Sequence, residues 1–219
     1  MFPFHLLEDP ALKKRVRAVG AKDYLFQQGD LGNSMFIIVE GRISLFQTTL
    51  NTTRLVDTAG KGEMLGEKTV VLNQPYKRTL SAQAATDVIV LELDPLAIKA
   101  VAQRIPDFSV QILRHVIRRL DKCNELVGVL QLRDDTERML QYLLFWARHT
   151  GKKAIQGIEC SLKVEDISNI VNVRKELVDE ALRVLALSRI IERKGDLILI
   201  PDDSAVSGFL PALKMRMAA

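Results

Sequence analysis

The sequence predicts an α+β chain in three consecutive parts: an N-terminal antiparallel β-barrel or jelly roll, one long helix, and a C-terminal helix-turn-helix backed by a β-hairpin. Three observations predict it. Up to about residue 93 the apolar residues come in strand-length runs separated by glycine turns. From 107 to 132 only Gly128 interrupts a pattern of three- and four-residue apolar steps. From Leu162 to Arg189 two short amphipathic stretches flank Asn172-Val173. The expected division is therefore 1–105, 106–133 and 134–219.

The strand runs are Met35-Phe36-Ile37-Ile38-Val39, Ile43-Ser44-Leu45-Phe46 and the stretch from Val88 to Leu93, rich in β-branched and aromatic residues. Between them lie Gln28-Gly29-Asp30, Leu31-Gly32-Asn33-Ser34, Glu40-Gly41-Arg42 and Ala59-Gly60-Lys61-Gly62, which are turn signals. Many short strands at this spacing suit a small closed or two-sheet β architecture.

The texture changes at Asp94-Pro95, and Pro95 to Arg104 reads as a short helix. Pro106 suits the first turn of a second one, which at 1.5 Å per residue would reach about 40 Å by Leu132. Along it Leu113, Ile117, Leu120, Asn124, Val127 and Gln131 alternate steps of four and three, the seam of a helix that pairs with another. An ordinary core helix is the alternative on spacing alone. Arg133 to Asp135 read as a hinge, with Asp135 placed to cap the helix whose apolar core runs from Met139 to Ala147.

Val164 to Val171 reads as one helix, Asn172-Val173 as a tight turn that wants a left-handed residue, and Arg174 to Leu187 as a second helix. Ile167, Val171, Val173, Val178, Ala181 and Leu182 would face inward, with small Ser168 at the crossing. Two strands around Lys194-Gly195-Asp196 follow, so the unit reads as a winged helix; a plain αα-hairpin is the alternative. In a major groove the second helix would offer Arg174, Lys175, Glu176, Asp179 and Arg183 to base edges, and Arg193 and Lys194 of the wing would reach phosphate.

Composition narrows the function classes. The chain has 219 residues, 47% hydrophobic and 26% charged, which is globular. The longest stretch without a charge or histidine has 11 residues, Ile43 to Thr53, against roughly 20 for a membrane-spanning helix. Met1 to Glu8 shows no basic segment ahead of an apolar run, and two cysteines, Cys123 and Cys160, cannot build a disulfide framework. The expectation is a cytoplasmic chain without a membrane partner. Net charge is +4, but from Asp134 onward 13 basic residues meet 13 acidic ones, so a nucleic-acid contact would need a placed face of charges. His5, His115 and His149 are scattered and read as solvated or capping residues, so no metal site is expected. Nothing pairs a nucleophile with a base or forms a phosphate-binding P-loop, so no enzyme is expected.

As a whole the chain resembles the cyclic-AMP-receptor/fumarate-nitrate-regulator (Crp/Fnr) family of transcription factors. The likeness runs from about Tyr24 to Pro201 and rests on the order barrel, long helix, hinge, winged helix, and on local motifs. Phe36-Ile37-Ile38-Val39-Glu40-Gly41-Arg42-Ile43 resembles the family's strand pair around a glycine. Gly62-Glu63-Met64-Leu65-Gly66-Glu67, followed by Arg78-Thr79, resembles its phosphate-binding cassette, and Lys175 to Glu180 the start of its recognition helix.

The resemblance implies a cyclic-nucleotide-binding-like barrel, a dimerisation helix and a DNA-binding winged helix. It implies that Gly66 lets the backbone approach the ligand, Glu67 accepts from a ribose hydroxyl, Arg78 pairs with phosphate and Thr79 donates to it, with Cys123 and Asn124 at the base. A surface ion pair of Glu67 with Arg78 is the plain alternative. Leu113, Ile117, Leu120, Asn124 and Val127 would hold a homodimer. Glu180 stands where the family carries an arginine, so it either accepts from cytosine or faces away from DNA. The implied partners are double-stranded DNA, a second copy of the chain, a small-molecule effector such as cyclic AMP or another cyclic nucleotide, and RNA polymerase. A non-nucleotide, haem or redox effector, or a nucleotide-sensing module acting through a protein partner, stay open as alternatives.

Overall fold

A computed structural model describes residues 9–50, 52–68, 75–105 and 107–217. The chain divides into two compact units at Arg118/Arg119. His5, Pro106 and the 69–74 stretch of the cassette lie outside the described residues.

In the first unit a single-turn helix, α1 (Pro10–Lys13), precedes strands β1 (Val16–Val19), β2 (Tyr24–Phe26), β3 (Leu31–Gly32), β4 (Met35–Glu40), β5 (Ile43–Thr49), β6 (Thr52–Ala59), β7 (Met64–Leu65), β8 (Tyr76–Lys77), β9 (Ser81–Ala84) and β10 (Val88–Leu93), then α2 (Pro95–Arg104). The strands form two four-stranded antiparallel sheets, β1-β10-β4-β7 and β2-β9-β5-β6, with β3 paired to β8: a jelly roll. β4 is an unbroken apolar run because both its faces are buried. Phe36 and Ile38 join Leu25, Ile43, Leu45, Ala82 and Val90 in one core. Met35 and Ile37 turn the other way, onto Leu93, Ile98, Val101 and Phe108. Gly41 makes the β4–β5 turn at φ 87°, and a Cβ there would stand 2.3 Å from the Asp87 carbonyl oxygen. Asp94 ends the barrel by capping α2: its carboxylate accepts from the Ala97 amide at 2.7 Å and from Arg15 at 2.7 Å, which holds its pKa below the usual aspartate value.

The long helix α3 (Phe108–Leu130) has 23 residues, about 35 Å at 1.5 Å per residue, somewhat shorter than the spacing predicts. Phe108 and His115 are buried; Leu113, Ile117, Leu120 and Val127 are exposed. Among the described residues no helix is long and apolar enough to cross a membrane.

The second unit is organised on α4 (Asp135–Thr150), whose Met139, Leu140, Leu143, Phe145 and Trp146 are buried. Its cap is Asp134, not Asp135: the Asp134 carboxylate accepts from the Glu137 amide at 2.8 Å, while Asp135 is already helical and pairs with Arg138. Two neighbouring aspartates fit the same signal, and the chain uses the first. After β11 (Lys152–Ala154) and β12 (Gly157–Ser161) come α5 (Val164–Val171) and α6 (Lys175–Leu187), then β13 (Glu192–Lys194), β14 (Leu197–Ile200), α7 (Asp203–Gly208) and α8 (Leu210–Met217). The sheet order β11-β12-β14-β13 extends the expected hairpin by two strands. The chain ends in two helices that the sequence reading lacks, and α8 packs on α4 and α6 through buried Leu213.

Between α5 and α6, Asn172 adopts φ 53°, ψ 50°, the left-handed turn the sequence predicts. Ser168 locks it: its backbone oxygen accepts from the Val173 amide at 3.2 Å and its hydroxyl donates to the Val173 carbonyl at 2.7 Å. Arg174 is the cap of α6 and not its first helical residue. A β-branched residue in this conformation costs about 1–2 kcal/mol, so Asn172→Val is expected to lower the urea midpoint with m unchanged, whereas Asn172→Gly is expected to hold it or raise it.

Candidate functional site

Arg78 leaves the end of β8 and turns inward, where it is only 8% exposed. Its backbone is tied at both ends, the amide donating to the Asp30 carbonyl at 2.8 Å and the carbonyl accepting from the Gly29 amide at 2.8 Å. The guanidinium lies 4.4 Å from the Phe26 ring centroid and 5.6 Å from that of Phe36, and one Nη donates to the Ser34 carbonyl at 2.7 Å. The Arg78 Nε is buried with no hydrogen-bond partner. Burial lowers the pKa of this guanidinium, while the carboxylates of Glu67, Glu92 and Asp30 act in the opposite direction.

Two glycines make the room. Gly66 has φ 78°, and a Cβ there would stand 2.2 Å from an Arg78 Nη and 2.9 Å from the Ser34 carbonyl. A Cβ at Gly32 would stand 2.2 Å from the Arg78 Nε. Gly32, Ser34 and Phe26 therefore lie against Arg78, although in the sequence Gly32 and Ser34 read only as turn residues and Phe26 carries no signal. The reading of Glu67 and Arg78 as a surface pair fails on the burial of Arg78. Glu67 is half-buried, Thr79 is exposed, and exposed Lys68 holds its ammonium 5.3 Å from the Tyr76 ring centroid. A buried cation with an unfilled donor, flanked by bare backbone, is a cradle for a compact anion.

The first unit brings Gly66, Glu67 and Arg78 together, with Thr79 next in sequence but exposed; Cys123 and Asn124 belong to the second unit, on α3, and both are exposed. Cys160 is buried, and its burial pushes the thiol up to about 11, so it stays protonated at neutral pH. One histidine departs from the expected solvated or capping role, and His149, exposed in the last turn of α4, keeps to it. His115 is buried. His149 lies against Phe145 at 4.7 Å between centroids and hydrogen-bonds Glu125 of α3 at 2.8 Å, where Arg148 also donates at 2.8 Å.

On α6 the buried positions Val178, Ala181, Leu182 and Leu185 turn Lys175, Glu176, Asp179, Glu180 and Arg183 outward together. Most of these side chains are already paired. Lys175 bonds Glu165 of α5. Arg183 holds both oxygens of Glu180, with contacts of 2.7 to 3.0 Å. Arg193 of β13 reaches Asp179 at 2.8 Å, so it is not a freely extended wing contact. Arg174 and Lys194 are exposed and have no ion-pair partner among the described residues.

A jelly roll with a buried arginine beside two glycines, in a chain that also carries a winged helix, defines the architecture of an effector-controlled regulator. Residues 16–104 match the family model of the cyclic nucleotide-binding domain. Over 186 residues the chain is 27% identical to the CRP-like cAMP-activated global transcriptional regulator of Mycobacterium tuberculosis, covering 84% of this chain and 82% of that one. It is 24% identical over 182 residues to the cAMP-activated global transcriptional regulator CRP of Salmonella typhimurium, covering 82% and 86%. Its fold is similar to that of a CooA variant from Carboxydothermus hydrogenoformans, with TM-score 0.73, 20% identity and coverage of 95% and 94%. Over more than four fifths of its length the chain is thus similar to regulators of the Crp/Fnr family, and it is an effector-controlled transcription regulator.

Proposed function

We propose that the protein acts as a homodimer on double-stranded DNA, its affinity for a two-fold-related site set by a cyclic nucleotide held in the barrel. The observation that carries the effector reading is the buried Arg78 guanidinium with its unpartnered Nε between Gly32 and Gly66. One cyclic phosphate supplies the acceptors this group lacks, and Glu67 is the candidate acceptor for a ribose hydroxyl. The two relatives named above are both called cAMP-activated, which favours cyclic AMP over other anions.

In this reading residues 1–105 sense, α3 with the hinge to residue 133 pairs two copies, and residues 134–219 bind DNA, with no catalytic step. Two recognition helices would enter successive major grooves about 34 Å apart. Such a regulator works in the cytoplasm and meets RNA polymerase at the promoter. Calorimetry of the pure protein with cyclic AMP and cyclic GMP, followed by gel shift of random duplexes with and without the nucleotide that binds, tests the proposal. The expected result is one nucleotide site per chain and retardation that strengthens with nucleotide. Heat from neither nucleotide removes the effector; no retardation at low salt removes the DNA.

A further inference from the structure

Three of the five cations expected to reach DNA are held by carboxylates of the same unit. Glu165 of α5 takes Lys175, Glu180 takes Arg183 through two oxygens, and Asp179 takes Arg193 of β13 across two elements. The first two pairs sit at the surface, with the Lys175 and Glu165 side chains each 55% exposed, and in the third Asp179 is exposed while Arg193 is 23% exposed. Exposed pairs of this kind contribute little to stability, so they are not explained as fold supports. They also open at small cost when a better partner arrives.

We infer that Glu165, Asp179 and Glu180 set DNA specificity by keeping Lys175, Arg193 and Arg183 neutralised and oriented until a matched site replaces them. The inference rests on the DNA reading above. Non-specific affinity comes from free cations that displace counterions from phosphate, and a cation paired with its own carboxylate displaces few. Of the five candidate contacts, Arg174 and Lys194 are the two without an ion-pair partner among the described residues and so are free to act that way. A base edge is a different partner. A guanidinium already fixed by a carboxylate loses less rotational freedom when it meets guanine, and its remaining donors point in a set direction. A carboxylate beside phosphate repels it, which further penalises an unmatched site. The neutral balance from Asp134 onward is the same design seen along the sequence, 13 basic residues against 13 acidic.

The test uses the full chain and a random-sequence duplex of about 30 base pairs, room for two half-sites a helical turn apart. Binding is followed by fluorescence anisotropy across a salt series for wild type, Asp179→Asn, and the triple variant Glu165→Gln/Asp179→Asn/Glu180→Gln. Each freed cation is expected to steepen the slope of log K against log salt by about 0.9 per chain. The triple variant is expected to hold the random duplex at least about tenfold more tightly at low salt. Glu40→Gln, which removes one negative charge from the barrel, is expected to leave the slope unchanged. Asp179→Asn, one exposed position, gives its own slope if the triple variant folds poorly. Slopes that match wild type in both variants overturn the inference while the DNA reading stands. Equal steepening by Glu40→Gln reduces it to bulk charge and overturns it too. Absence of binding by wild type and variants alike overturns the DNA reading, and the inference with it.

Discussion

Arg78→Ala is expected to weaken cyclic-nucleotide binding about 100-fold or more while leaving the barrel folded. Hydrogen bonds to a charged group contribute roughly 1.5–3 kcal/mol, and the upper half of that range corresponds to about two decades of affinity. The site cannot recruit a substitute easily, because Gly32 and Gly66 have no side chain and Lys68 is exposed on Tyr76. Folding should survive, because the core of Phe36, Ile38, Ile43, Leu45 and Val90 does not depend on the guanidinium. The alanine also removes a buried Nε that lacks a partner, which offsets part of the lost bond to Ser34 and the lost stacking on Phe26. Arg78→Lys separates charge from shape. It keeps the cation but loses the planar fork, and it should fall between wild type and alanine. Gly66→Ala should imitate the loss without touching the arginine, because the added methyl stands where an Arg78 Nη lies. Calorimetry gives the affinities and a thermal melt checks the fold. An alanine variant that binds as wild type does would move the phosphate out of this cradle.

These residues also show which kinds of information a linear pattern carries. β4 is legible because burial on both faces leaves a continuous apolar run, and Asn172 because few residues adopt a left-handed backbone without strain. The pairing of Glu180 with Arg183 is a contact between positions three apart on one helix, within reach of a spacing argument. The pairing of Asp179 with Arg193 is not, because it depends on how β13 folds back against α6. The burial of Arg78 is likewise tertiary: arginine is ordinarily exposed, and only the meeting of Gly32, Gly66 and Phe26 around it makes a pocket. β11 is missed for a simpler reason. Lys152, Lys153 and Ala154 are all exposed, so the strand shows no two-fold alternation. The final helices α7 and α8 are short, and Pro201, Gly208 and Pro211 around and within them read as turn signals.

Leu120→Glu is expected to turn the protein into a monomer at micromolar concentration and to remove its operator affinity with it. On α3, Leu113, Ile117, Leu120 and Val127 are 58%, 47%, 57% and 52% exposed, a row of large apolar side chains that a solitary helix would leave in water. Their steps of four and three place Leu113, Leu120 and Val127 at one heptad position, d, and Ile117 and Asn124 at the other, a. A β-branched residue at a with leucine at d favours two parallel strands, and one asparagine at a fixes register and strand number. A glutamate at 120 would face its own copy across the two-fold axis, so the seam loses a leucine and gains two adjacent like charges. A chain with one reading helix contacts one half-site and forgoes the other, and operator binding then falls toward its non-specific level. Asn124→Leu completes the experiment: it should strengthen association while admitting higher oligomers, because the polar layer that excludes them is gone. Sedimentation velocity reads both variants beside wild type. A wild-type chain that sediments as a monomer, or a Leu120→Glu chain that remains paired, would place the contact between copies on some other face.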